Sequence, residues 1–270
     1  MLAALGSYLD ARHHGGRWQV RIEDLDTPRV IPGSAPDIRR TLETLNLFWD
    51  GDVSYQSARR PLYEAAYHQL RCDGHTFECS CSRQTLTAQG DRGYPGTCRE
   101  GPRRPGPTST RFRLRGEWLE FTDRLQGLRR QSLEQLGDVV IRRRDGIYAY
   151  QLAVVVDDAD QNITDVVRGV DLLDSTGWQI ELHRALGHTP PRYAHLPVVS
   201  AADGGKLAKS RYAVAPDLSN PGQLLLQTLE LLQQRPPPEL AGLEPGEVLR
   251  WAISNWNPAR LNQITAVAAL

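Results

Sequence analysis

Cys79, Cys81 and Cys98 form a group of thiols in which the first two are separated by a single residue. Thiolates are soft ligands that favour Zn2+, and a closed structural zinc site takes four ligands. Three cysteines leave one ligand to find; on chemistry alone Cys72, His75 and the hydroxyl of Tyr94 all qualify. Cys-x-Cys is less diagnostic than Cys-x-x-Cys, so buried free thiols are the competing reading. A second group is made of lysines. Of 32 basic residues only two are Lys, and both, Lys206 and Lys209, fall in Gly205-Lys-Leu-Ala-Lys-Ser-Arg211. Where a chain otherwise uses Arg, a retained Lys pair points to a need for a compact, mobile ammonium, and phosphate chemistry has that need. The alternative is two surface lysines, but the turn-forming Asp203-Gly-Gly ahead of them suits a moving loop. A third group mixes charges: Arg21, Glu23, Asp24 and Asp26 early in the chain, and Tyr150, Asp157, Asp158 and Arg168 much later. For any one of them alone a structural salt bridge is the better reading.

The elements that must position these groups are legible in outline. Leu2 to Ala11 reads as a helix, and Trp18-Gln-Val-Arg-Ile22 alternates like a strand that delivers Glu23, Asp24 and Asp26 to its C-terminal end. Pro36 to Leu47 and Leu62 to Leu70 read as helices. Tyr150-Gln-Leu-Ala-Val-Val-Val156 is a continuous apolar run of strand length, expected to be a strand buried on both faces and ending in Asp157-Asp158. Val166 to Asp171 then leads into a helix from about Ser175 to Leu186, and two more helices, Gln223 to Gln234 and Pro245 to Trp256, flank Pro236-Pro-Pro238. Alternating strands and helices predict a parallel α/β sheet, whose ligands sit beyond the carboxyl ends of its strands. Arg21, Glu23, Asp24, Tyr150, Asp157, Asp158 and Arg168 are therefore expected to converge on one polar pocket. From about His75 to Ile147 cysteines, Pro/Gly clusters and short alternating runs such as Thr110-Arg-Phe-Arg-Leu-Arg115 interrupt the pattern, as an inserted small domain would.

The 270 residues are 24% charged and 40% hydrophobic, with Lys+Arg and Asp+Glu both 32, which excludes disordered and fibrous classes. No apolar run approaches the roughly 18 residues of a membrane helix, and the start lacks the features of a signal peptide. A cytoplasmic protein is expected, in which cysteines serve as metal ligands or buried thiols in preference to disulfides. The charge is unevenly spread, with twelve Arg against six acids between Arg99 and Arg144. A solvated face and a nucleic-acid-facing insertion account for that run about equally well.

Taken together, Arg21-Ile-Glu-Asp-Leu-Asp-Thr-Pro-Arg29, Tyr150 to Asp158, Val167-Arg-Gly-Val-Asp-Leu-Leu173 and Lys206-Leu-Ala-Lys-Ser210 resemble the glutamyl branch of class I aminoacyl-tRNA synthetases. The spacing Cys79-x-Cys81 to Tyr94-x-x-x-Cys98 and the sequence Leu2 to Arg12 are similar to the glutamyl-Q tRNA(Asp) synthetases within it. The resemblance spans nearly the whole chain. It implies a Rossmann-type parallel sheet split by a zinc-containing insertion and followed by a helical, stem-contact-like domain. The boundaries that follow are 1–74 and 153–205 for the two halves of the catalytic domain, 75–152 for the insertion, and 206–270 for the KMSKS-type loop and helical part. The implied activity is activation of L-glutamate with ATP and Mg2+, and transfer of the glutamyl group to the queuosine base of tRNA(Asp), by a monomer. Glu23, Tyr150 and Arg168 would bind glutamate, Arg168 by a charge-assisted fork to its side-chain carboxylate, with Arg21 as a further contact. Lys206, Lys209 and Ser210 would bind ATP, Lys209 being the catalytic lysine that stabilises charge on the triphosphate. Structural Zn2+ would sit on Cys79, Cys81, Tyr94 and Cys98. The family's first strand and its HIGH-like turn would lie upstream of Met1. Without them the 270 residues are expected to be unstable and inactive. Two other readings are a shortened discriminating glutamyl-tRNA synthetase and an inactive zinc-containing RNA-binding relic.

Overall fold

The computed structural model describes residues 1–26, 29–82, 86, 93–200 and 216–269. The chain opens with helix α1 (Leu2–His13), followed by a short strand β1 (Arg21–Ile22) and helix α2 (Ser34–Thr44). Strand β2 (Ser54–Tyr55) pairs in parallel with β1, and helix α3 (Arg60–Cys72) follows. Only the end of the predicted strand Trp18–Ile22 is sheet, although Asp50 and Ser54 donate backbone hydrogen bonds to Trp18 and Val20 and extend the pairing. The next strands are β3 (Thr76–Cys79), β4 (Ser109–Phe112), β5 (Trp118–Asp123) and β6 (Gly127–Ser132), then a one-turn helix α4 (Leu133–Leu136) and β7 (Val139–Arg142). The second half contains α5 (Tyr150–Asp160), β8 (Asp165–Gly169), α6 (Thr176–Ala185), β9 (Arg192–Leu196), β10 (Val198–Ser200), α7 (Pro221–Leu231), α8 (Pro245–Asn255) and β11 (Ala266–Ala268).

The expectation of one parallel sheet needs correction. Strands β3, β4 and β7 form an antiparallel sheet in the order β3-β4-β7. A second sheet, in the order β6-β5-β9-β8, is mixed: β8 and β5 run parallel to β9, and β6 turns back against β5 as a hairpin. The hairpin's strands are only a few residues apart in sequence, which allows an antiparallel pairing that a parallel pair's crossover could not make.

A second correction concerns Tyr150–Val156. The run is not a strand but the first two turns of α5, with every residue from Gln151 to Asp158 buried. An apolar run of this length suits a doubly buried strand and a doubly buried helix equally well. Here α3, α6 and β7 surround it, and Leu152, Ala153 and Val155 are fully enclosed. Asp157 and Asp158 therefore stand on the last turns of a helix. The other predicted helices lie within a few residues of their expected ranges. Helices α7 and α8 pack on α1 in a core containing Leu5, Leu9, Leu225, Leu229, Val248 and Trp256. Both start with Pro in the first turn; Asn220 caps α7, and a Glu244–Glu247 capping box starts α8.

Candidate active site and thiol cluster

Between β1 and β8, with α5 as a wall, lies a cavity of about 810 Å3. Arg21, Glu23, Tyr150, Asp158 and Arg168 all line it, so residues more than a hundred positions apart in sequence meet around one space. Lys206, Lys209 and Ser210 lie outside the described residues.

Arg168 projects from β8 and is nearly buried. Its Nε donates to His195 Nε2 at 3.0 Å, Nη1 to Gln179 Oε1 at 2.7 Å, and Nη2 to Thr176 Oγ1 at 3.0 Å and the Leu172 carbonyl at 3.2 Å. Each of these acceptors is neutral. A buried guanidinium normally demands a carboxylate, and one held by neutral dipoles keeps its charge available to an anionic ligand. Four of its five N–H groups are engaged, and the remaining one is on Nη1. The Tyr193 ring lies under the guanidinium, 5.4 Å from its centre.

Arg21 is compensated in the opposite way. Its Nη2 donates to Asp158 at 2.9 Å and its Nη1 to Gln161 at 2.8 Å, while Nε lies 3.7 Å from both Glu23 and Asp157. Asp157 is wholly enclosed and also accepts from Arg59, Gln56 and Tyr63. Burial raises the proton affinity of Asp158, and the partly desolvated setting of the cavity raises that of Glu23, whose side chain is still 41% exposed, in both cases against the pull of Arg21. Burial also raises the Tyr150 hydroxyl above its ordinary range. Among the described residues the cavity thus presents a cation with no carboxylate partner on one side and carboxylates on the other, a pattern suited to a zwitterion with an additional carboxylate. Asp24, expected at the same pocket, instead accepts from the backbone and side chain of Ser57.

The thiols of Cys79, Cys81 and Cys98 all lie within 4.8 Å of one another. The Cys81 and Cys98 sulfurs are 3.7 Å apart, and the Tyr94 hydroxyl is 3.4 Å from Cys79 Sγ and 3.9 Å from Cys81 Sγ. Four ligands around one zinc at about 2.3 Å would stand about 3.8 Å apart, and the three separations of 3.4, 3.7 and 3.9 Å are close to edges of such a tetrahedron. Burial opposes ionisation of Cys98, but hydrogen bonds from Tyr94 and from the backbone prevail and bring its thiol down to about 6. Burial and the contact with Cys98 push Cys81 up to about 11. Cys72 is exposed at the end of α3, and His75 packs against Phe112, so neither joins the group.

Residues 2–235 match the family of class I tRNA synthetases (E and Q), catalytic domain. The chain is 48% identical to the glutamyl-Q tRNA(Asp) synthetase of Geobacter sulfurreducens, covering 97% of this chain and 88% of that protein. It is 47% identical to the one of Ectopseudomonas mendocina, covering 99% and 91%. This chain belongs to the glutamyl-Q tRNA(Asp) synthetase family of class I tRNA synthetases. The same fold is present in a glutamate tRNA ligase from Elizabethkingia meningosepticum, crystallised in complex with its amino acid. That comparison has a TM-score of 0.81 at 23% identity; it covers all of this chain and 63% of the ligase. The glutamate-tRNA synthetase of Elizabethkingia anophelis gives 0.79 at 22%, covering 99% and 64%.

Against the fold of class I tRNA synthetases, the residues that sequence reasoning passed over are those around Arg168. Gln179, Thr176 and His195 carry no local motif; they are buried polar side chains on α6 and β9, elements that also carry the exposed Arg184 and Arg192, so nothing in the local sequence sets them apart. Asp123 was equally silent, yet it is fully enclosed and bonds His195.

Proposed function

We propose that this chain activates L-glutamate with ATP and Mg2+, without tRNA, and then transfers the glutamyl group to the queuosine base of tRNA(Asp). The observation that carries this reading is Arg168: a buried cation at a cavity wall, held among the described residues by neutral acceptors and facing carboxylates across the space. Such a charge favours a substrate that brings its own carboxylate. The side-chain carboxylate of glutamate would take the remaining Nη1 N–H of Arg168. Displacing the Leu172 carbonyl, the longest of the four bonds, would complete a fork. Tyr150 borders the same space, and Glu23 and Asp158 would meet the substrate ammonium, with Arg21 holding their orientation.

The free α-carboxylate would then attack the α-phosphorus of ATP, expelling pyrophosphate. Lys206, Lys209 and Ser210 are assigned to the ATP phosphates, Lys209 to the charge that grows on the leaving group. The second step would pass the acyl group to the tRNA and release AMP. Cys79, Cys81, Cys98 and Tyr94 would hold a structural Zn2+, for which their spacing and partial ionisation are suited. The working unit is the single chain, and its free cysteines, three of them clustered, suit the reducing cytoplasm. Names of the close relatives support the queuosine-directed step over ordinary tRNA glutamylation.

The test is ATP–pyrophosphate exchange together with calorimetric titration of glutamate. Glutamate-dependent exchange without tRNA is expected of the chain extended upstream of Met1 by the family's first strand and HIGH-like turn, and in that protein Arg168→Ala should abolish glutamate use while leaving ATP binding in place. Equal response to glutamine, or an Arg168→Ala protein with normal glutamate affinity, would sink the assignment.

A further inference from the structure

Arg168, His195 and Asp123 stand on three adjacent strands, β8, β9 and β5, with Arg168 directly opposite His195 in the sheet register. The His195 Nδ1 is 2.6 Å from Asp123 Oδ2, and its Nε2 accepts from Arg168 Nε at 3.0 Å. The other carboxylate oxygen of Asp123 is anchored by the backbone N–H groups of Leu125, Gln126 and His195 at 3.0, 2.8 and 3.2 Å. The side chains of His195 and Asp123 are wholly enclosed.

We propose that Asp123 and His195 are positioning residues that set the plane of the Arg168 guanidinium for its substrate carboxylate; this rests on the glutamate reading of the cavity. An ionised Asp123 can only accept, so His195 carries its proton on Nδ1 and turns a lone pair on Nε2 toward Arg168. The opposite tautomer would set an N–H against the Nε–H of Arg168. Gln179 and Thr176 then fix the remaining nitrogens, and the guanidinium cannot swivel. Placing an imidazole between the two charges has a further consequence. Asp123 orients Arg168 without occupying the side of the guanidinium that faces the cavity. A direct Asp–Arg pair would orient the cation equally well and satisfy it, leaving little attraction for a ligand.

The direct measurement is the tautomer of His195 in the wild-type chain by two-bond 1H–15N NMR. A neutral ring protonated on Nδ1 is expected at neutral pH, and a ring protonated on Nε2 overturns the proposal. This readout needs no bound glutamate, so failure to bind glutamate would count against the cavity reading alone. The functional arm uses Asp123→Asn, which releases the tautomer. Tm should fall with the lost charge, but in the folded protein glutamate affinity should fall roughly 10- to 100-fold while nucleotide affinity is little changed. His195→Gln, whose carbonyl can still accept from Arg168, should keep most of the affinity, and His195→Leu should lose it. An Asp123→Asn protein that is folded and binds glutamate normally overturns the relay, as does His195→Gln behaving like His195→Leu. Should Asp123→Asn fail to fold, the tautomer and the His195 pair decide.

Discussion

Arg21 and Arg168 line the same cavity, yet their surroundings give them different chemistry. Three carboxylates gather around Arg21, so it serves to hold acids in place, whereas the neutral partners of Arg168 leave its charge to act on a ligand. A third buried polar residue, His183 on α6, illustrates the cost of having no partner. It is 1% exposed, neither ring nitrogen has a hydrogen-bond partner among the described residues, and burial together with His188 pushes its pKa down to about 4. The unfolded chain takes up that proton near pH 6.5. Between about pH 6.5 and 4 the unfolded state therefore binds more protons, and stability falls as pH falls, by a total on the order of 3 kcal/mol. Urea unfolding at pH 7.5 and at pH 4.5 should show this loss. His183→Leu should flatten the slope in that window, and an unchanged slope would assign the acid sensitivity to other groups.

At the scale of elements, the thiol group depends on a backbone contact far from the cysteines in sequence. Tyr94 forms a bridge with Gly137, just after α4, and the Gly137 carbonyl accepts from Trp178 on α6. Gly137 has φ +70°, and a Cβ there would stand 2.2 Å from the Tyr94 nitrogen. Gly137→Ala should therefore displace Tyr94 from the cluster and weaken zinc retention roughly 10- to 100-fold, the usual effect of losing support behind a ligand. Gly146→Ala is the control: it has a similar φ of +83°, and the nearest atom to its Cβ would be 3.7 Å away, on Arg142. Zinc content against a chelator, measured for both variants, separates steric displacement from backbone strain. Equal retention by the two would remove Gly137 from any supporting role.

Across the whole molecule, α1 joins the mixed sheet to the C-terminal helices. Its Asp10 accepts a two-pronged pair of hydrogen bonds from Arg124 at 2.7 and 2.9 Å and a third from Trp256 Nε1 at 3.2 Å. Arg124 follows β5 and Trp256 follows α8, so one carboxylate ties three parts of the fold. Asp10→Asn keeps the shape but loses the charge, and should lower stability by about 1.5–3 kcal/mol in urea unfolding. Coupling to Trp256→Phe in a double-mutant cycle should be measurable, because Trp256 donates directly to the Asp10 oxygen that also accepts from Arg124. Strict additivity would mean that α1 is held by apolar packing alone.

Local pattern in the sequence determined α1, α2, α3, α6, α7 and α8, whose apolar spacing, with proline starts in several, needs no distant partner. It also determined which side chains could do chemistry: the thiols, the lysine pair, and the cavity set of Arg21, Glu23, Tyr150 and Arg168. Three matters were left to tertiary structure. A continuous apolar run such as Tyr150–Val156 carries no periodicity to separate strand from helix, so its form was decided by what packs on each side. Strand direction depends on pairing between distant segments, which is why the hairpin β5–β6 makes the sheet mixed. The neighbours of a buried charge are the third: His195, Gln179 and Asp123 have no motif, and only the alignment of β5, β9 and β8 together with the placement of α6 brings them to Arg168. Local periodicity reports which face of an element is buried, whereas the partner met on that face is set by chain segments that lie far away in sequence.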